Sequence, residues 1–361
     1  MTDPANPSGP PAEITHLVRQ RAEARARRDW AAADSLKGEI EAAGWKVADH
    51  GGRTSVSQAA PPTVELEGEV RFGSPAAVPS RLQDPPDVPW TVIVLASEAP
   101  ERVSRLLAGL RAHATSATQV VVVANDPSET QQAALAAGSP DRADICGCAV
   151  EVLRTATRLG HAAALNIALR RAAGEQVLLA DGSAWPEGDA LGPLSGALGD
   201  SDVAVVGAFG LASAEPGRLR PSALAPSDEH EVGALLADWM AFRRADYIAL
   251  GPLDERFVTP AWLDVWWSLR LRAGADPDWT DAEAAEPEAG DPGESEASIS
   301  EAAERPPAPG YGAEPPPPRR AVRLDLPLGR EEFPWPPDRS RLGRRNMYRV
   351  LDRWGWREDL V

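Results

Sequence analysis

The feature that most restricts the fold of this chain is a set of short apolar segments separated by segments with helical periodicity. The apolar segments are TVIVLAS (91–97), QVVVVAND (119–126), QVLLADGS (176–183) and DVAVVGAFG (202–210). Continuous apolar runs of this length are typical of strands that helices cover on both faces of a parallel sheet. The alternation therefore predicts a three-layer α/β domain with a mainly parallel sheet.

Two of the predicted strands end in polar residues, at the position where sheets of this kind bind ligands. The second apolar segment ends in Asn125 and Asp126, and the third ends in Asp181 and Ser183. The sequence Asn-Asp-Pro-Ser is also that of an ordinary turn, so Asn125 and Asp126 alone leave a structural role open. Together the polar ends predict a binding site along the carboxyl edge of the sheet.

The α/β domain is predicted to span residues 89–274, between segments of different composition. These are a Pro-rich tail at 1–12, a helical hairpin at 13–56, a Pro-rich linker at 57–88, an acidic and Pro-rich insertion at 275–320, and a strand and helix at 321–361. The linker contains VELEGEVRF, which alternates like a strand and could pair with the edge of the sheet. The insertion is predicted to be disordered, and the final strand and helix are predicted to pack on the α/β domain.

The composition excludes several classes of protein. A formal net charge of −17 argues against nucleic acid as a partner, although much of the acidic charge lies in the insertion. The amino terminus, MTDPANPSGPP, lacks the features of a signal peptide, and no apolar run reaches about 18 residues. Cys146 and Cys148 are too close together for an ordinary disulfide. These features predict a cytoplasmic protein with free thiols and no membrane span.

One carboxylate lies among aromatic residues near the end of the α/β domain. Asp264 belongs to a predicted helix that also brings in Trp262 and Trp267. A charged carboxylate in apolar surroundings is costly, so it usually has a catalytic role or a partner. The alternatives are that Asp264 caps its helix or pairs with Arg243 or Arg270, and that the tryptophans belong to the core.

Two segments resemble a known family. RLGHAAALNIALRRAAGEQVLLADGS (158–183) is similar to the pattern NxGxAxAxNxGxxxAxGxxxxxLDxD, and the segment from Trp239 to Gly274 is similar to RR…GxFDExF…EDxDLxxRLRxxG. Both patterns are those of family 2 glycosyltransferases, and their order and spacing resemble that family from residue 90 to 274. The resemblance implies a GT-A fold and the transfer of a sugar from a nucleotide-diphosphate donor to an acceptor that the sequence does not identify (a glycan, lipid or protein).

The resemblance also implies which residues form the site. Asp264 aligns with the catalytic base, which takes the proton of the acceptor hydroxyl in an inverting transfer. The residues expected to bind the donor are Asn125, Asp126, Gly160, His161, Asn166, Asp181 and Ser183. The residues expected on the acceptor side are Trp262, Trp267 and Arg243.

The resemblance further implies a divalent cation, Mg²⁺ or Mn²⁺, between Asp181 and the donor diphosphate. The family holds this ion with an Asp-x-Asp sequence, because hard cations take several oxygen ligands. Here Ser183 occupies the second position, and a serine hydroxyl is a poor substitute for a carboxylate. The metal ligand predicted from the sequence is therefore Asp181, with Asp189 as a candidate that could compensate from the next turn.

Two further segments resemble known sequences. AEARARRDWAAADSLKGEIEAAGWKVADHGGRTSV (22–56) is similar to the C-terminal helical appendix of cysteinyl-tRNA synthetases, which leaves contact with protein or with tRNA open. LPLGREEFPWPPDRSRLGRRNMYRVLDRW (326–354) is similar to the end of a subgroup of family 2-like proteins. It has Glu331 and Glu332 where that subgroup has a triplet containing histidine, which further weakens the case for a metal.

Two functions from different classes follow from the sequence. The first is an inverting glycosyltransferase with a nucleotide-sugar donor. The second is a GT-A relative without catalytic activity that binds nucleotide sugars or serves as a scaffold. The missing second acid at Ser183 and the missing acidic neighbours of Asp264 favour the second function.

Overall fold

The computed structural model describes residues 12–50, 53–58, 62–66, 68–96, 99–137, 144–145, 148–213, 224–274, 317–331, 340–355 and 357–360. The expectations for the tail, for most of the acidic insertion and for the two thiols concern groups outside this description. The chain divides into two compact units. Among the described residues, the first unit ends at Pro62 and the second begins at Thr63.

The first unit combines a helical pair with a strand hairpin. Its elements are α1 (Ala12–Ala26), α2 (Trp30–Ala42), β1 (Trp45–His50) and β2 (Arg53–Gln58). Asp29 caps α2, because its carboxylate accepts a hydrogen bond from Ala32 N at 3.1 Å. A small core forms around Ile14, Ile40 and Val47. The sequence predicts only the helices; the structure adds the hairpin, for which the alternation after Trp45 and the two glycines at 51–52 are the sequence signal.

The second unit contains the predicted α/β domain. Its strands are β3 (Val64–Leu66), β4 (Glu69–Phe72), β5 (Val88–Ala96), β6 (Thr118–Ala124), β7 (Asp144–Ile145), β8 (Cys148–Thr155), β9 (Gly174–Ala180), β10 (Ala184–Pro186), β11 (Val203–Gly207), β12 (Gly210–Ser213), β13 (Leu224–Ser227), β14 (Glu231–Val232), β15 (Ala234–Leu235), β16 (Trp239–Arg243), β17 (Arg320–Arg323) and β18 (Leu328–Arg330). Its helices are α3 (Pro100–His113), α4 (Glu129–Ala137), α5 (His161–Leu169), α6 (Leu191–Leu198), α7 (Arg244–Leu250), α8 (Leu263–Ala273) and α9 (Arg341–Trp354). Short 3-10 turns lie at Pro75–Ala77 and Glu358–Leu360.

The main sheet is mixed but mostly parallel. Its strands lie in the order β14-β17-β11-β16-β9-β5-β6-β8-β4-β3, with β7 beside β8. The central strands β9, β5, β6 and β8 are parallel, as are β8 with β4 and β11 with β17. Strand β16 is antiparallel to both of its neighbours, β9 and β11. The alternating segment of the linker forms β3 and β4 at one edge.

Helices cover both faces of the main sheet. Helices α3, α4 and α6 pack on one face, where Leu106 and Leu194 join Val92, Val122 and Leu178 in one apolar cluster. Helices α5, α7 and α8 pack on the other face, and α9 packs against α8. Side chains alternate along a strand, so both faces of the central strands are apolar and buried. The three-layer α/β fold that the sequence predicts is confirmed.

Two smaller sheets lie beside the main one. Strand β12 pairs with β13 and β15, and β10 pairs antiparallel with β18. The second pairing brings residues from the end of the chain next to the segment that follows β9. Within the described ranges, every helix is too short or too polar to cross a membrane.

Candidate active site

The carboxyl end of β9 and the amino end of β16 bring two acids together. In this antiparallel pair Ala180 faces Trp239, and the next position on each strand is Asp181 or Asp238. Residues opposite each other in an antiparallel pair have their side chains on the same face. Asp238 is only 8% exposed. It is not among the residues predicted from the sequence, because the sequence does not show the register of β16.

The carboxyl group of Asp238 has a pKa well above its usual range. Burial is the largest cause, and the negative charges of Asp181 and Asp264 act in the same direction, whereas the guanidinium of Arg330 acts against them. The carboxylates of Asp181, after β9, and Asp264, at the start of α8, therefore lie close enough to Asp238 to act on it. Such a concentration of negative charge favours a ligand that brings cations or hydrogen-bond donors.

Asp264 lies in the first turn of α8, where backbone N–H groups have no partner within the helix. Its Oδ1 accepts a hydrogen bond from Val265 N at 2.8 Å, and Ala237 N and its own N also bind the carboxylate. Burial raises the pKa of Asp264 to about 6, and these hydrogen bonds act in the opposite direction. Asp264 is therefore ionised at neutral pH and more basic than an exposed aspartate. It also takes part in capping its own helix.

The guanidinium groups of the two arginines considered as partners of Asp264 bind backbone carbonyl oxygens. Arg270 donates hydrogen bonds to Pro252 O at 2.9 Å and to Leu250 O. Arg243 donates to the backbone carbonyls of Leu198, Asp200 and Val203. It lies at the end of β16 that faces Gln176, far along the strand from Asp238. The register therefore places Arg243 at the opposite end of β16 from the carboxylates, and its expected place on the acceptor side stays a prediction.

The tryptophans expected on the acceptor side are buried. Trp267 is 1% exposed, and its ring contacts Phe242 at 5.5 Å and Tyr247 at 6.0 Å between ring centroids. Trp262 is 6% exposed and has a left-handed backbone, with φ of 69°. A sugar can stack only on an exposed ring face, so the core reading is the right one for Trp267. Trp262 acts instead as the strained residue that leads into α8.

The turn after β9 is organised by Asp181. Its Oδ1 accepts hydrogen bonds from Ser183 N at 2.7 Å and from Ser183 Oγ at 2.6 Å. Gly182 between them has φ of +81° and approaches the backbone of Arg102 closely, which favours glycine. Asp189 does not substitute for the missing acid, because it accepts a hydrogen bond from Gly192 N at the start of α6.

Two asparagines predicted to bind the donor are engaged by backbone groups. Asn125 Nδ2 donates to Leu159 O at 3.0 Å, and its Oδ1 accepts from Leu159 N at 2.8 Å. Asn166 makes the same two-way contact with Leu253, at 2.9 and 3.0 Å. Their amides therefore hold the loops at Leu159 and Leu253 in place. Asp126, in contrast, is exposed at the carboxyl end of β6, where its side chain can reach a ligand.

The start of α5 contacts the loop that precedes α8. His161 N donates to Val258 O at 3.0 Å. A Cβ on Gly160 would lie 3.2 Å from Val258 Cα, so this close approach requires glycine. Burial lowers the pKa of His161 to about 4, so its imidazole is neutral at pH 7. His161 could donate a hydrogen bond there but would not bring a positive charge.

The carboxylates fit a divalent cation only if the donor supplies other ligand oxygens. No group of three or more Asp, Glu, His or Cys residues in the described part of the chain is arranged to hold a metal ion. Asp181 and Asp238 nevertheless provide two carboxylates on one face, with Asp238 on the neighbouring strand in place of the acid absent at Ser183. Mg²⁺ is commonly held by one or two carboxylates together with substrate phosphates. The residues present fit that arrangement.

A cavity of about 280 Å³ lies at the opposite edge of the main sheet, near the start of β5, β6 and β8. Its charged groups are already paired, Arg81 with Asp87 and Glu151 with Arg171, at 2.6 and 2.8 Å. Gln119 in its wall is also fully engaged by Thr91 and backbone groups. Sheets of this type bind ligands at the carboxyl edge, so the carboxylate cluster is the better candidate for the active site.

Two segments of the chain match known families. Residues 91–250 match the family described as Glycosyl transferase family 2. Residues 8–56 match the family described as Cysteinyl-tRNA ligase anticodon binding domain. Both resemblances seen in the sequence are confirmed by these matches, the first within the main α/β domain and the second within the helical segment at the start of the chain. No curated protein is significantly similar to the chain.

Solved structures with partial similarity include several glycosyltransferases. The mannosyltransferase PcManGT from Pyrobaculum calidifontis, in complex with GDP-Man and Mn²⁺, is 21% identical, with 56% of this chain and 58% of that chain covered and a TM-score of 0.41. TarS 1–349 from S. aureus with UDP is 16% identical, with 51% and 54% covered and a TM-score of 0.39. GalNAc-T7 with UDP, GalNAc and Mn²⁺ is 11% identical, with 52% and 41% covered and a TM-score of 0.43. The chain thus spans little more than half of the length of the first two.

Proposed function

We propose that the protein is an inverting glycosyltransferase that moves a sugar from a nucleotide-diphosphate donor to a hydroxyl group of a glycan, lipid or protein acceptor. The observation that carries the proposal is the convergence of Asp181, Asp238 and Asp264 at the carboxyl edge of a family 2 domain. Three elements of the fold contribute one acid each, and strand register and helix start determine their positions.

Asp264 is the catalytic base in this proposal. Its carboxylate takes the proton of the acceptor hydroxyl while the hydroxyl oxygen bonds to the anomeric carbon of the sugar. The bond from that carbon to the diphosphate oxygen breaks, and its electron pair leaves with the diphosphate. The pKa of about 6 suits the role, because the group is ionised at pH 7 and basic enough to accept a proton.

The donor lies along the ends of β6 and β9. Asp126 is the exposed acid at the end of β6 and is placed to bind the nucleoside part of the donor. Asp181 and Asp238 would hold Mg²⁺ or Mn²⁺ if the ion is used, and the ion would neutralise the diphosphate as it leaves. Asn125 and Asn166 fix the loops at 159 and 253 that surround this region.

The experiment that tests the proposal combines donor binding with turnover. Thermal shift measurements with UDP-, GDP- and dTDP-sugars, each with Mn²⁺ and with EDTA, identify the donor from a rise in melting temperature. Donor hydrolysis or transfer is then measured for the wild type and for Asp264→Asn. We expect Asp264→Asn to bind the donor normally and to lose about 100-fold or more in kcat, because the base is removed.

Asp189→Asn is the matched control, because Asp189 is an exposed acid at the start of α6, away from the cluster. It should leave both binding and turnover unchanged. Full activity of Asp264→Asn would contradict the assignment of the base.

The second candidate function is a nucleotide-sugar-binding protein without catalytic activity. The observation that favours it is Ser183, which stands where the family has its second acid. Its hydroxyl donates a hydrogen bond to Asp181 Oδ1. This function predicts a thermal shift with one donor and no turnover in the wild type. Turnover that depends on Asp264 would eliminate it.

A further inference from the structure

A segment from the end of the chain lies beside the turn that follows β9. In the pairing of β10 with β18, Arg330 is opposite Ala184, and Glu331 N donates to Ser183 O at 2.8 Å. Arg330 is therefore next to the Asp181–Ser183 turn in space, although nearly 150 residues separate them in sequence (330 − 183 = 147). The main-chain pairing fixes this position independently of any side chain.

Side-chain contacts of Glu331, the residue after Arg330, hold this segment in place. The carboxylate of Glu331 accepts hydrogen bonds from Arg102 Nε at 2.9 Å and from Arg105 on α3. Arg105 also lies over the ring of Trp185 on β10, 4.4 Å from its centroid. These contacts join β18 to α3 and β10 as one support, so that Arg330 does not depend on its own contacts for its position.

The guanidinium of Arg330 is held but has unused hydrogen-bonding capacity. It lies over the ring of Phe209, 4.2 Å from its centroid. Among the residues that the structure describes, its hydrogen bond is a long one, from Nε to Glu331 O at 3.4 Å. The side chain is exposed, and its charge acts on the buried carboxyl of Asp238. A cation of this kind faces both the Asp181 turn and the carboxylate cluster.

We propose that Arg330 binds the diphosphate of the donor. The planar guanidinium binds two phosphate oxygens at once and keeps its charge at every working pH. The position fits this role, because the Asp181 turn is where the domain is expected to hold the diphosphate, and Ser183 leaves that turn with one acid fewer for a metal. Arg330 thus supplies positive charge that a fully ligated metal would otherwise supply. This inference rests on the proposed function, since it concerns the same donor.

The test compares the affinity for diphosphate with the affinity for nucleoside. Calorimetric titrations use UDP, GDP and dTDP and the matched nucleosides, each with Mn²⁺ and with EDTA, under the condition in which the wild type binds. For Arg330→Ala we expect a dissociation constant about 10-fold or more higher for the diphosphate and an unchanged one for the nucleoside. Arg330→Lys should have a dissociation constant for the diphosphate between those of the wild type and Arg330→Ala. Lysine keeps the positive charge but does not bind two phosphate oxygens with one planar group.

The control is Arg320→Ala, which removes an arginine at the start of β17. Arg320 pairs with Asp200 and Glu231, away from the Asp181 turn, so its removal should leave both affinities unchanged. An equal loss of diphosphate and nucleoside affinity in Arg330→Ala, or no loss at all, would overturn the role of Arg330 and leave the proposed function standing. A wild type that binds none of the three diphosphates would overturn both. Arg330→Gln repeats the comparison if the alanine variant does not fold.

Discussion

At the scale of single residues, the fold sets the basicity of Asp264, the proposed catalytic base. Burial raises its pKa to about 6, and the backbone N–H groups at the start of α8 limit that rise. The charge of Asp264 in turn raises the pKa of Asp238, on which Asp181 acts in the same direction and the guanidinium of Arg330 acts in the opposite one.

This basicity predicts the pH dependence of the reaction. A base acts only when it is deprotonated, so kcat/KM should rise with pH through an apparent pKa near 6 and level off above it. Steady-state rates between pH 5 and pH 8 measure the profile. Asp238→Asn should leave this rise at the same pH, because burial and its neighbours raise the pKa of Asp238 to about 8, so that Asp238 is already neutral where Asp264 titrates. A flat profile for the wild type would show that a different group limits the rate.

The same carboxylate should make the fold sensitive to pH. The folded-state pKa of Asp264 lies above that of an exposed aspartate, so the folded protein binds more protons there and loses stability as the pH rises through about 6. Asp264→Asn removes the buried charge. We expect its melting temperature to exceed that of the wild type at pH 8 and to approach it at pH 5. An equal difference at both pH values would indicate that burial of the charge is not the cause.

At the scale of elements, α9 fixes the loop that leads to Asp264, the proposed base. Asn346 is 1% exposed, and its Nδ2 donates to Ala261 O at 2.9 Å and to Thr259 Oγ1 at 3.2 Å. Its Oδ1 accepts from Arg349 at 2.9 Å. The loop then passes through Trp262, whose left-handed backbone is unfavourable unless its surroundings hold it. Asn346 is therefore a positioning residue for Asp264.

Removing this contact should lower the rate without weakening donor binding. For Asn346→Ala we expect a fall in kcat of about 10- to 100-fold, because a small shift of the base is costly, with an unchanged dissociation constant for the nucleoside diphosphate. Tyr348→Ala is the control, since Tyr348 is on the same helix and 57% exposed. A parallel loss of binding and rate in Asn346→Ala would indicate general loss of structure instead.

Pairing between elements also explains which site residues the sequence could reveal. Asp181 and Asp264 follow from the family patterns, and Asp126 follows from the end of an apolar segment. Asp238 depends on the register of β16 against β9, and Arg330 on the pairing of β10 with β18, neither of which periodicity records. The alternation of apolar segments was sufficient for the layers of the fold, because burial on both faces leaves a signal in composition.

At the scale of the whole molecule, each compact unit has a core of its own. The cluster beneath α3 and α6 consists of residues between Trp90 and Val322, and the small core of the helical pair consists of residues between Ile14 and Val56. We therefore expect a chain that begins at Thr63 to fold and to bind the nucleoside diphosphate like the full protein. Calorimetry and circular dichroism on both proteins check this. A loss of diphosphate affinity would mean that the first unit contributes to the donor site.

Strands β17 and β18 and helix α9 come late in the chain, after the segment that matches the family. The matched segment is therefore shorter than the part of the chain that builds the proposed site. The match to the family ends at residue 250, after Asp181 and Asp238 but before Asp264, Arg330 and Asn346. A fragment cut at that boundary would keep the acids at the ends of β9 and β16 and lose the base, the arginine and the helix that holds the loop. Strand β11 would also lose its neighbour β17 and become an exposed edge of the sheet. Homologues recognised only by that shorter match can therefore share the domain and still differ in whether they carry the residues for transfer.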